Sequence, residues 1–224
     1  EVFQILARAH GIDLRSGDPV RGGVQGTVLA EERSAELKPL LRSMLRYSTN
    51  LTAEAVGLSA TIASRGRPAT LSASAEAMNT WISTNLGVSR PKFVDHSGLG
   101  HASRISPHAM VNALRHDSAQ TALRGILKTI TLTDRSGEPL PPGGPQVVAK
   151  TGTLNFVSGL AGYIRTKGGR DLVFAVFSAD MARREALSRT ERERPSGGRR
   201  WTRSARRMQN DLLRRWSTMH DAQG

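Results

Sequence analysis

The chain has no cysteine, which excludes a disulfide framework and any thiolate-bound metal. The compartment stays open, because oxidising compartments also hold proteins without cysteine. Aromatic residues make up only 4 % of the chain, so few platforms exist on which nucleic-acid bases could stack. No apolar run approaches the roughly 18 residues that a membrane-spanning helix needs. Glycine and proline are scattered rather than periodic, which excludes a collagen-like or low-complexity chain. What remains is a sequence of 224 residues, 38 % hydrophobic, long enough for one packed domain with a tail or for part of a larger domain.

Lysine is scarce against arginine, 5 to 27, and the formal charge is +13. The excess is concentrated: Arg183 to Arg215 holds twelve arginines against four acids. That clustering points to a basic tail rather than to a basic domain, and with so few aromatics it argues against nucleic acid as a partner. The amino terminus places apolar residues of Glu1–His10 at helical spacing and stops them at Gly11, with no initiator Met, basic leader or cleavage site. The chain is therefore expected to begin inside a larger structure, with residues 1–30 the end of an inserted region.

Strand and helix signals alternate unevenly. Thr27–Ala30 reads as a short strand. Leu37, Leu40, Leu41, Met44 and Leu45 share one helical face, and Leu51–Ala63 resumes the pattern, which leaves Tyr47-Ser-Thr-Asn50 at a junction between helices. Ser72–Leu86 is a further helix, with Ser72 or Ser74 as cap and Gly87 as stop. Pro107 opens a helix over Met110–His116, and Thr121–Ile130 reads as another. Val147–Ala149 and Leu160–Arg165 read as strands joined across Gly152–Gly159, and Leu172–Ser178 as a third, with a hairpin turn at Lys167–Arg170. Helices in the middle with hairpin strands at the end predict an α+β fold, an antiparallel sheet flanked by helices. A basic linker over 183–200 and an amphipathic helix over 201–224 complete the chain.

Two short motifs carry candidate chemistry. Lys150-Thr151-Gly152-Thr153 ends a strand, where a lysine projects from a rigid edge and Gly152 admits close approach of a ligand backbone. Ser48-Thr49-Asn50 sits between helices, whereas the identical tripeptide Ser83-Thr84-Asn85 lies inside one and reads as a polar last turn. The six histidines lack the spacing of a zinc site, so no metal and no cofactor are expected. Asp95-His96-Ser97 imitates a triad in one dimension, but neighbours in sequence seldom share a catalytic geometry.

Tyr47-Ser-Thr-Asn-Leu-Thr-Ala-Glu-Ala55, Asp95-His-Ser-Gly-Leu99 with Arg104-Ile-Ser-Pro107, and Lys150-Thr-Gly-Thr-Leu154 followed by Ser158-Gly-Leu-Ala-Gly-Tyr163 resemble, in order and context, the D-alanyl-D-alanine carboxypeptidase/endopeptidase family of low-molecular-mass penicillin-binding proteins. The likeness runs from about residue 1 to 180. It implies a DD-peptidase/serine β-lactamase-like transpeptidase fold, incomplete at its amino-terminal side, with 31–182 the carboxy-terminal part of that domain. Such enzymes combine Ser-x-x-Lys, Ser-x-Asn and Lys-Thr-Gly elements. On this resemblance Ser48 relays a proton to the leaving D-alanine and Asn50 holds the substrate carbonyl. Lys150 sets a positive field, and with Thr151 binds the terminal carboxylate. Gly152 lets the substrate approach, and the N–H of Thr153 is one oxyanion donor. The implied partners are peptidoglycan stem peptides ending in D-Ala-D-Ala, β-lactams and the missing amino-terminal part of the domain, and the implied location is the periplasm or cell envelope.

The departure from the pattern is the nucleophile. The only literal Ser-x-x-Lys, Ser89-Arg-Pro-Lys92, contains a proline and leads into Phe93, so it is not expected to be a helical turn. The isolated chain is therefore expected to bind weakly and not to turn over. The rival expectation is a non-catalytic basic module whose arginine-rich tail meets nucleic acid or an anionic envelope polymer.

Overall fold

The computed structural model describes residues 1–15, 17, 22–23, 26–188, 190–191 and 195–221, without the side chains of 117–119. It divides into two compact units, Glu1–Ala35 and Glu36–Gly224.

The first unit is built on α1, Val2–Ala9. Gly11, at φ +77°, ends it as the sequence predicts, and the Gln4 side chain donates to the Leu14 carbonyl at 3.1 Å to fold the following residues back. Thr27–Ala30 forms no strand. Four residues of strand propensity gain little without a neighbour to complete a ladder.

In the second unit α2, Leu37–Tyr47, tolerates Pro39 because it lies in the first turn, where a missing N–H costs nothing. Ser48 closes α2 in the left-handed region, at φ 55° and ψ 49°, and the chain turns directly into α3, Asn50–Arg65, with Thr49 as N-cap. The pair α3 and α4, Leu71–Leu86, is joined through buried hydroxyls: Thr61 Oγ1 and Ser74 Oγ lie 2.7 Å apart. The cap of α4 is Thr70, whose hydroxyl accepts from Ala73 N–H at 3.1 Å, not Ser72 or Ser74. Ser74 is a core residue and Gly87 ends the helix at φ 61°. The helix α5 spans Pro107–Arg115, with Ser106 accepting from Ala109 N–H. The helix predicted over Thr121–Ile130 is displaced: α6 is Asp117–Leu123, and Lys128–Thr129 is β1. The run Lys128-Thr-Ile-Thr-Leu-Thr133 alternates β-branched and apolar residues, a strand pattern that wins over the preceding helical one.

The sheet has the order β1-β2-β3-β4 and is antiparallel throughout, with β2 Gln146–Leu154, β3 Val157–Arg165 and β4 Asp171–Ala179. The strands run further than predicted. β2 continues through the Lys-Thr-Gly residues, and the turn to β3 shrinks from Gly152–Gly159 to Asn155-Phe156, since Leu154 pairs with Val157. Phe156 accepts φ 58° there because its buried ring packs edge-on against Trp201, with centroids 6.2 Å apart. The hairpin at Lys167–Arg170 forms as predicted, closed by Thr166 N–H donating to the Arg170 carbonyl at 2.8 Å.

One face of the sheet buries Val147, Ala149, Leu160, Ile164, Phe174 and Val176 against Leu213 of α8, Gly198–Asp221. The short α7, Met181–Glu185, occupies the start of the basic segment, and α8 begins three residues ahead of Trp201. The arginine-rich tail is thus in large part a helix docked on the sheet: beyond Gly198 at its start, its buried residues Ala205, Gln209, Leu213 and Ser217 recur every four positions. On the other face Tyr163 is buried and its hydroxyl donates to the Leu114 carbonyl of α5 at 3.0 Å. No described helix is long and apolar enough to cross a membrane.

Candidate active site

The site forms where β2 outruns its neighbour. Ile130 N–H donates to the Val147 carbonyl at 2.9 Å, which fixes the parity of the strand. In an antiparallel ladder, alternate residues direct both backbone groups to the same side. Val147 and Ala149 therefore face β1, and Thr151 and Thr153 face the same side beyond its end. Among the described residues, β1 pairs with β2 only as far as Ala149, so the N–H groups of Thr151 and Thr153 lie on an open edge. Gly152 is exposed there, with open space where a Cβ would stand, and pairs with a second glycine, Gly159.

Side chains alternate across the same strand. Thr151 and Thr153 lie on the face covered by α8, while Lys150 and Gly152 lie on the opposite face. From that face the Lys150 Nζ donates to Ser48 Oγ at 2.5 Å and to the Thr151 carbonyl at 2.6 Å. Two elements 102 positions apart in sequence thus meet at one hydrogen bond. The left-handed conformation of Ser48 costs roughly 1–2 kcal/mol for a residue with a Cβ, and it turns the chain from α2 into α3 at this point. Asn50 opens α3 two residues later, exposed and with no side-chain hydrogen bond among the described residues. Burial, and next the ammonium of Lys128 on β1, hold Lys150 below the ordinary lysine range. Neither Lys128 nor Lys150 has an acidic partner among the described residues.

The segment Asp95–Gly100 buttresses this corner. Glu54, one turn beyond Asn50 on α3, accepts from His96 N–H at 3.2 Å and Ser97 N–H at 3.0 Å. Partial burial pushes its carboxyl up, but the Ser97 hydroxyl, the two N–H groups and the His96 ring together hold it below the usual glutamate value. The His96 ring bonds Ser74 Oγ at 2.8 Å and lies against Met78 Sδ at 3.3 Å, while Asp95 accepts from Gly98 and Gly100 N–H. The side chains of Asp95, His96 and Ser97 each face different partners and form no triad. Ser89 and Lys92 are outside any helix: Arg90 between them stands at φ 51° and Lys92 bridges Arg104. No helical Ser-x-x-Lys occurs among the described residues, and no cluster of three His, Asp or Glu that could hold a metal.

Two residues near the site had not been singled out in the sequence. Lys128 was hidden inside the expected helix, though the alternation after it was a usable signal. Arg206 of α8 donates to Thr153 Oγ1 at 3.3 Å. Nothing distinguishes it in sequence from its arginine neighbours.

Comparison with known proteins bears on the family and the fold. The model of the D-Ala-D-Ala carboxypeptidase 3 (S13) family matches residues 12–195. Carboxypeptidase DacB of Mycolicibacterium smegmatis is 31 % identical over 187 residues, covering 77 % of this chain and 40 % of its own length. D-alanyl-D-alanine carboxypeptidase DacB of Haemophilus influenzae is 26 % identical over 176 residues, covering 75 % and 37 %. The crystal structure of penicillin binding protein 4 from Haemophilus influenzae, complexed with a β-lactam, superposes with a TM-score of 0.64 at 24 % identity, over 80 % of this chain and 43 % of that one, and shares the fold. The chain spans about two fifths of the length of the curated relatives it matches.

Proposed function

Because the chain belongs to the D-Ala-D-Ala carboxypeptidase 3 (S13) family, we propose that it forms the substrate-binding and proton-relay half of a serine-type peptidase of peptidoglycan metabolism, acting in the periplasm or cell envelope. Its substrates are stem peptides ending in D-Ala-D-Ala, and β-lactams are its covalent inhibitors. The observation that carries the reading is the hydrogen bond from Lys150 to Ser48 beside an open strand edge.

On this reading the substrate's last peptide unit lies along the edge of β2, adding hydrogen bonds to backbone groups that β1 leaves free. The Thr153 N–H points at the scissile carbonyl as one oxyanion donor, a contact of a kind worth about 3–4 kcal/mol in the transition state. Asn50 offers its free amide to the substrate's peptide carbonyl. Ser48, with Lys150 as its donor, has its own hydroxyl proton available to pass to the departing amine. The ammonium of Lys150 draws the terminal carboxylate toward Thr151. The nucleophile and its lysine base are supplied by a helical Ser-x-x-Lys that the described residues do not contain.

A fluorescent β-lactam tests this. The chain as it stands should take no covalent label. A longer protein that joins it to a helical Ser-x-x-Lys should label and release D-alanine, and should lose that release on Lys150→Ala. Labelling of the present chain that disappears with Ser89→Ala would show that the nucleophile is Ser89, and undiminished turnover in Lys150→Ala would remove the role given to that lysine.

A further inference from the structure

The open edge of β2 is ringed by cations of three different elements. Lys128 stands at its β1 end, Lys150 on one face, and Arg206 of α8 reaches Thr153 from the other. None of the three is paired with a carboxylate among the described residues, and Thr151, Gly152, Thr153 and Arg206 are all exposed. Arg206 is also held in place. It lies three positions before Gln209, whose buried amide donates to the Ser158 carbonyl and hydroxyl at 3.3 and 3.1 Å. Ser158 is the cross-strand partner of Thr153, so the turn of α8 that carries Arg206 is clamped to the same rung of the sheet. A guanidinium beside the Thr153 hydroxyl, on the strand face that Thr151 shares, is a carboxylate receptor in its chemistry: hydroxyls orient the anion and the planar fork pairs with it.

Resting on the peptidase reading above, we propose that Arg206 is a specificity-determining residue that binds the terminal carboxylate of the substrate together with Thr151 and Thr153, and so makes the site select a free carboxy terminus. Lys150, on the opposite face, donates to Ser48 and adds its charge to the field that draws the carboxylate in, while Arg206 makes the direct contact. The helix packed on the back of the sheet therefore takes part in substrate choice.

Titration of the ¹⁵N-labelled chain with N-acyl-D-Ala-D-Ala and with the same peptide as its carboxy-terminal amide tests the assignment, followed at the Thr151, Gly152 and Thr153 amides. Wild type should bind the acid more tightly than the amide. Arg206→Ala should weaken the acid about tenfold, as for loss of one exposed charge-assisted bond, and leave the amide unchanged. Arg206→Lys, which keeps the charge and loses the fork, should fall between. Equal weakening of both peptides means that Arg206 only steadies Thr153, and unaltered selectivity in Arg206→Ala means that it does not meet the carboxylate; either overturns the proposal. If wild type binds the acid and the amide alike, the edge takes the peptide without selecting a free carboxylate and the proposal fails; if it shifts with neither, the peptidase reading of this edge fails and Arg206's role with it.

Discussion

Lys150 Nζ donates to Ser48 Oγ at 2.5 Å, although the two residues are 102 positions apart and come from a strand edge and a helix junction. If the pair acts as one unit, removing either partner should cost nearly as much as removing both. In a longer protein that carries the helical Ser-x-x-Lys, Ser48→Ala and Lys150→Ala should each lower D-alanine release about a hundredfold or more. The double variant should be little worse than the poorer single one. Additive losses, measured as kcat/KM, would mean independent roles.

Lys128 sets a pH limit at a distance. Burial and then the Lys128 charge lower the Lys150 pKa, so the grip of its ammonium on an anion is lost as the pH rises toward a value below the ordinary lysine range. Lys128→Gln removes the repulsion and should move that alkaline limb to higher pH. The pH profile of binding or release checks it, and a limb that stays in place or moves down would rule out the coupling.

Gly57 sets helix propensity against sterics. Alanine is favoured over glycine inside a helix by about 1 kcal/mol, so Gly57→Ala in α3 would stabilise an isolated helix. In the fold, the added methyl would meet the His96 ring at 2.1 Å, and that ring is fixed by Ser74 and Met78. Overpacking should win, with a net loss of roughly 1–3 kcal/mol in urea unfolding. Gly152→Ala, in open space, should unfold within about 0.5 kcal/mol of wild type.

Glu54 makes stability depend on acid. Its carboxyl is held below the usual value in the folded chain, so its contribution is complete at neutral pH. That contribution is lost as the pH falls from the ordinary glutamate pKa, about 4.3, through Glu54's own lower one. Glu54→Gln should be the less stable protein at pH 7, and the gap should close on acidification. A gap constant between pH 7 and pH 3 would show that the carboxylate charge is not what holds the Asp95–Gly100 turn.

Much of this was readable in one dimension. The leucine spacing of α2, the junction at Ser48 and the hairpin at Lys167–Arg170 follow from local periodicity and turn chemistry, and all three formed. The two tripeptides that meet in the Lys150–Ser48 hydrogen bond were visible in the sequence, and Ser48 was separable from Ser83, which lies inside α4, by position alone. Where local signals competed, the reading slipped. Lys128 falls at the seam between a helical and an alternating pattern, and the length of β2 past Ala149 is set by hairpin pairing with Val157–Ala161, where Gly152 and Gly159 read locally as turn residues. Arg206 could not have been chosen, because only the register of α8 on the sheet distinguishes it from the other arginines of that helix.

The glycine-paired end of β2 has another consequence. A bare strand flank with unspent backbone groups is a template onto which a second molecule could zip, the first step of edge-to-edge aggregation. Here a twin approaching along that flank would bring its own Lys128, Lys150 and Arg206 against the same three charges. The cations that would welcome a carboxylate thereby also act as gatekeepers, keeping identical copies apart and the flank open.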